Sequence, residues 1–131
     1  MSNNFKIEII NPEKLFLLKE NVSEVIIPAF EGEIGILKDH IPIISFLRPG
    51  IIKIFKESNL DSFYIEDGII EFRDNSLTIL TSFIFDLKER KKFQIDKYIV
   101  DTSKKLENDN INDQERYLLN YKIDVLKELT N

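Results

Sequence analysis

The side chains equipped for chemistry gather in one short stretch. Glu31 and Glu33 flank Gly32, and His40, the single histidine, is followed by Ser45. Two carboxylates could in principle split a glycosidic bond, but they would have to be held about 5 Å apart for one stereochemical course or about 6.5–9.5 Å for the other. Acids two apart on a glycine turn are commonplace solvated charges, and nothing nearby fixes such a spacing, so catalysis is not expected there. His40 has no G-x-S-x-G serine context, and Ser45 sits within an apolar run, so a nucleophilic triad is not expected either. By itself His40 reads as a hydrogen-bonded turn residue.

Other chemistries lack their residues. A zinc site needs three or four His, Cys or carboxylate ligands, and the chain offers one histidine and no cysteine. Neither G-x-x-x-x-G-K-[ST] nor G-x-G-x-x-G occurs, so no phosphate cradle of those kinds is expected. Ten phenylalanines and four tyrosines are present, but basic groups do not interleave with them as a nucleic-acid stacking platform requires. Phe46, Phe55, Phe63 and Phe72 are expected in the core. The net charge of −5 also repels a polyanion. No cofactor, no metal and no enzymatic activity are expected. A carbohydrate-active enzyme built on Glu31 and Glu33 is a distant alternative.

The elements that would position these residues change character once along the 131-residue chain. Up to Asp86, apolar runs are broken by pairs that suit tight turns: Asn11-Pro12, Glu31-Gly32, Lys38-Asp39, Pro49-Gly50, Ser58-Asn59, Asp67-Gly68 and Asp74-Asn75. Alternation is explicit in Phe5, Ile7 and Ile9, in Ile52 and Ile54 about Lys53, in Phe63 and Ile65 about Tyr64, and in Leu77 and Ile79 about Thr78. Nine or ten short strands of a β-sandwich are predicted over residues 1–86, each with one wet face.

Glycine and proline vanish after Asp86, charge becomes dense, and two helices are predicted in a hairpin over residues 87–131. The first carries Ile95, Ile99, Thr102 and Leu106 on one face beside Tyr98, and ends at Asn108-Asp109-Asn110. The second presents Leu118, Tyr121, Val125 and Leu129, widened by Leu119 and Leu126. Asn112 is placed to cap it, with Glu115 three residues on. Helices of this length are marginal alone, so their stripes must dock on each other, on the sandwich or on another protein. Lys88 to Lys92 is either a hinge or the opening turn of the first helix. No run of 18 apolar residues occurs, so no membrane insertion is expected, and Met1-Ser2-Asn3-Asn4 has no leader pattern.

The order of turn and strand residues from Gly32 to Gly50, followed by Asp67-Gly68-Ile69-Ile70-Glu71-Phe72 and Leu77-Thr78-Ile79-Leu80, resembles the epsilon subunit of the rotary F-type ATP synthase, called delta in mitochondria. The resemblance implies a β-sandwich with a carboxy-terminal helical hairpin. It also implies a non-catalytic central-stalk subunit of a proton-translocating synthase, bound to the gamma subunit and the membrane rotor ring. Such a subunit lies peripherally on the cytoplasmic side of the bacterial inner membrane, and its hairpin can reach the alpha/beta hexamer and impede hydrolysis.

By this resemblance Phe30, Glu31, Gly32 and Glu33 form the turn that meets the rotor ring, Glu33 matching the family's ring-contacting glutamate. Read from the residues alone, Phe30 folding under as core is favoured over its projecting from the turn. His40 and Ser45 fall where the family faces gamma. Some relatives bind ATP through [IL]-D-x-x-R-A in the first helix. Here Ile95 and Asp96 match, but Ile99 and Val100 replace arginine and alanine, and only Arg90 and Arg116 remain to meet phosphate, so ATP binding is not expected. The alternative from another class is a free-standing β module whose helices close over a nucleotide or other small ligand.

Overall fold

The computed structural model describes residues 4–92 and 94–130, apart from the side chains of Arg90 and Lys92. The opening Met1-Ser2-Asn3, the Arg90 side chain as a phosphate partner, and the Lys92 side chain of the proposed 88–92 hinge lie outside the described residues. Ten strands come first: β1 (Phe5–Asn11), β2 (Lys14–Val22), β3 (Glu24–Ala29), β4 (Gly32–Leu37), β5 (Ile43–Leu47), β6 (Gly50–Lys56), β7 (Asn59–Ile65), β8 (Gly68–Arg73), β9 (Ser76–Leu80) and β10 (Ile84–Asp86). A short 3-10 helix (Leu87–Lys92) leads to α1 (Ile95–Leu106) and α2 (Asp113–Leu129).

The strands pair in the order β10-β7-β6-β3-β5-β8-β9-β1-β2, with β4 also on β3. This sheet curls into two layers because β3 divides its pairing. It holds β6 along Glu24 to Ile26, but meets β5 at Ala29 opposite Leu47 alone. Backbone bonds from Phe30 N to Phe46 O and from Arg48 N to Pro28 O carry the join past that pair. At the other edge Phe16 meets Phe63 edge-to-face at 5.7 Å, and Lys19 pairs with Asp61, tying β2 to β7. The closed interior holds Phe5, Ile7, Ile9, Ile27, Ile36, Ile52, Ile70, Phe72 and Leu77. Alternation has therefore put one face of each of these strands in the core, as burial of apolar area favours.

Three details of the sequence reading change. Tyr64 was expected on a wet face between Phe63 and Ile65, and it is 0% exposed. The hairpin covers that face: Tyr64, Phe85, Ile95 and Leu126 form a second core, with Ile51, Phe83, Tyr98, Ile99, Val125 and Leu129 around it. Phe46 and Phe55 were expected in the core; Phe55 is only partly buried and belongs to neither core cluster, and Phe46 is 56% exposed. In β5 the inward positions are Ser45 and Leu47, so the intervening Ile44 and Phe46 point out. The strand's one polar residue, Ser45, faces inward, and that hid its phase.

The helices form as their caps and stripes dictate. Asn112 accepts the Glu115 amide at 2.8 Å, which starts α2. Ile123 and Leu126 are its most buried residues, so the packed stripe is centred slightly off the predicted one. Arg116 donates to the Leu106 carbonyl at 3.2 Å, satisfying one of the orphan acceptors at the end of α1. The Lys88 stretch is an ordered 3-10 turn, and Lys88 reaches Asp61 at 3.3 Å.

Candidate functional site

The turn between β3 and β4 projects Phe30 and Glu31 at the end of the sandwich. Phe30 is 41% exposed, so its aromatic ring does not fold under as core. Gly32 takes φ +134°, a conformation L side chains rarely adopt, and a β-carbon there would meet nothing within 4 Å. Glycine therefore serves the bend, not a close approach. Glu33, the second residue of β4, lies opposite Pro28 and is exposed. Phe30 lies beside Phe46 of the neighbouring strand, with ring centroids 6.3 Å apart.

Ser45 is 7% exposed, and its hydroxyl donates to Glu31 Oε2 at 3.4 Å. The structure thus brings together two residues that the resemblance assigned to different partners. His40 stands apart, edge-on to Phe72 at 5.9 Å, with Nδ1 against the Ile41 carbonyl at 2.7 Å. Its turn is held by Asn75, which accepts the Asp39 amide at 2.7 Å and donates to the Asp39 carboxylate at 3.0 Å. Lys38-Asp39 therefore builds a locked turn, in which Asp39 carries φ +66°.

The largest feature near this turn came from residues read as ordinary strand or core. On the outer face of the layer the hairpin leaves uncovered, Phe46 pairs across to Ile69, and Ile69 to Leu80. All three are exposed. Beside them an open depression of about 610 Å³ is lined by Ile10, Pro12, Phe30, Phe46, Ile69 and Leu80. Gly68 allows this close packing: a β-carbon there would fall 2.4 Å from the Leu80 carbonyl oxygen. Asp67, on the rim, accepts from the Ser82 amide and hydroxyl at 3.1 and 2.7 Å and so fixes the β7–β8 turn. A run of exposed apolar side chains in directly opposed positions costs solubility, which a monomer has no use for and a docking surface does. The available sequence signal was strand phase: Leu47, Ile70 and Ile79 inward require Phe46, Ile69 and Leu80 outward.

The degenerate ATP motif fares differently. Ile99 packs against the Tyr64–Phe85 cluster, while Asp96 and Val100 face solvent. A guanidinium at position 99 would enter an apolar contact at a desolvation cost, and Ile99 suits the site as it stands. Among the described residues no group of three or more His, Cys, Asp or Glu could hold a metal ion, and no helix is long and apolar enough to cross a membrane.

Such a structure, a curled ten-stranded sandwich with a helical hairpin docked on one layer and an apolar band on the other, defines the class of small sandwich-and-hairpin subunits. Residues 4–86 match the family model described as the ATP synthase, Delta/Epsilon chain, beta-sandwich domain. The chain belongs to the ATP synthase epsilon chain family. It is 58% identical to the ATP synthase epsilon chain of Pelagibacter ubique over 98% of its own length and 99% of the relative's. Its fold is similar to a chain in the Euglena gracilis mitochondrial ATP synthase OSCP/F1/c-ring structure (TM-score 0.76, 20% identity, 99% of this chain and 81% of that one). A chain in the Tetrahymena thermophila central stalk/c-ring structure has the same fold (TM-score 0.69, 20% identity, 99% and 98% covered).

Proposed function

We propose that this chain is a non-catalytic central-stalk subunit of a proton-translocating ATP synthase, seated peripherally on the cytoplasmic side of the inner membrane against the gamma subunit and the rotor ring. The observation that carries the reading is the exposed row Phe46–Ile69–Leu80 beside the projecting Phe30 turn. Membership in the epsilon chain family supports it, as do the central stalk and c-ring contexts of the two structural neighbours.

The work is mechanical. Torque passes through a body that does not yield, and a sandwich closed at both edges over a filled interior resists deformation as close-packed interiors do. The Phe30, Glu31, Gly32 and Glu33 turn is the ring-facing element. His40 and the outward side chains of β5 face gamma, and Ser45 acts by steadying Glu31. The chain makes and breaks no bond of its own.

The hairpin is the regulatory part. It is docked on the sandwich here, and the same stripes could instead meet the alpha/beta hexamer and impede hydrolysis. Such a switch requires that the two sites differ by only a few kcal/mol. Reconstitution with the cognate gamma–ring complex tests the reading. Stoichiometric co-sedimentation with that complex is expected, and a chain that stays free in solution would refute it.

A further inference from the structure

The outer face of β5, β8, β9 and β1 carries three parallel bands of different chemistry. The first is apolar: Phe46, Ile69, Leu80 and Ile10 lie directly opposite one another across the four strands. Two residues further along each strand, Ile44, Glu71, Thr78 and Glu8 form the next band, which carries two acids. Two further on, Arg73, Ser76 and Lys6 form a third, which carries two bases.

None of these four charges has an ion pair or a side-chain hydrogen bond among the described residues, in contrast to Lys19, Asp61, Glu66 and Lys122 elsewhere. Opposite charges two residues apart on one strand face could have been neutralised by a different side-chain order. Here they are instead sorted across the strands, acids with acids and bases with bases. Each band lies about 7 Å from the next, the rise of two strand residues; at about 4.8 Å per strand the first two cross roughly 14 Å of sheet and the third, which stops at β8, roughly 10 Å.

We propose that this face is a register-setting interface, and that its occupant is a partner segment presenting an apolar side chain, then a basic group, then an acidic group at steps of about 7 Å along the strand direction. The inference rests on the central-stalk reading and adds to it the chemistry of the docked surface. The apolar row supplies contact area without fixing position, because burial is non-directional. The two charged bands fix it: a partner displaced by one band sets like charge against like, which costs far more than lost contact area. A helix laid along the strands meets this spacing at every fourth residue, which rises about 6 Å.

The test is binding of the full chain to the cognate gamma–ring complex at low and high salt. The variants are Glu8→Lys with Glu71→Lys, Lys6→Glu with Arg73→Glu, all four changes together, and Phe46→Ser with Ile69→Ser. Each charge-reversed pair is expected to raise Kd at least tenfold at low salt. The defect should narrow as salt shortens the Debye length from about 30 Å at 0.01 M to about 8 Å at 0.15 M. The apolar pair should weaken binding at every salt concentration, and melting curves should show all variants folded. If both reversed pairs bind as the parent does while the apolar pair fails, the banded register is overturned and the central-stalk reading stands. If the parent itself does not bind, the central-stalk reading falls, and the register with it.

Discussion

Lys122 on α2 and Glu66 at the end of β7 lie 2.8 Å apart, both largely withdrawn from water. The pair ties the hairpin to the sandwich at the point where Tyr64 is buried. Burial, and secondarily the Glu66 carboxylate, raises the Tyr64 pKa well above its ordinary 10.0, so the phenol stays neutral. A second tie is Arg48, whose guanidinium lies 4.3 Å from the centre of the Tyr121 ring and reaches the Tyr117 hydroxyl at 3.4 Å.

Lys122→Met leaves the Glu66 carboxylate unpaired beside a buried phenol. The expected loss is about 1–2 kcal/mol, between the values typical of exposed and fully buried pairs. It should fall on the hairpin. Hydrogen exchange is therefore expected to quicken across α2 while amides of β1, β8 and β9 keep their protection. Uniform quickening would show that the pair stabilises the whole fold instead.

Leu126→Ala removes the most buried side chain of α2 from the cluster with Tyr64, Phe85 and Ile95. Large-to-small changes of this kind cost about 2–5 kcal/mol. Undocking of the hairpin is expected at a lower denaturant concentration than unfolding of the sandwich, giving two transitions by far-ultraviolet circular dichroism. A single cooperative transition at a reduced midpoint would contradict independent undocking.

Asp61 bonds Lys19 and Lys88, and the Lys19 bond is the largest influence lowering its pKa below the ordinary 3.8. A carboxyl whose folded pKa is depressed adds stability that is present above the unfolded value and disappears as pH falls through the folded one. Asp61→Asn should therefore lower stability by a constant amount between pH 6 and 8, on the order of 1 kcal/mol for a part-buried carboxylate whose second partner, Lys88, is exposed. The difference from the parent should shrink below about pH 4, where the unfolded carboxyl also takes up its proton. An undiminished difference at low pH would mean that the substitution acts through packing and not through charge.

These positions also show what the sequence could and could not disclose. Alternation about Lys6 and Glu8, and about Lys53, marked the strand phases because a charged residue labels the wet face. The Asn112 cap marked the start of α2 for an equally local reason. Ile43-Ile44-Ser45-Phe46-Leu47 has a single polar residue, and that residue faces inward, toward Glu31. A reading that places polar groups outside inverts this strand and misses the Phe46–Ile69–Leu80 row. Tyr64 was misjudged because its cover comes from distant residues, chiefly Phe85, Ile95 and Leu126, and not from its own strand. The Phe30–Glu33 turn, by contrast, was legible from its glycine and acids.

Phe46→Ser replaces an exposed side chain, so Tm should change by less than the equivalent of about 0.5 kcal/mol. A large fall in Tm would mean that Phe46 contributes to the fold's own packing.

The chain has no cysteine, so a single thiol introduced by Phe46→Cys reports on that position alone. A second variant, Ser58→Cys in the exposed β6–β7 turn, serves as reference. In the isolated chain both thiols should react freely with maleimide. In the assembled gamma–ring complex the thiol at position 46 should be protected at least tenfold relative to the one at position 58. Equal reactivity of the two thiols in the assembled complex would contradict the claim that the sandwich docks through this face.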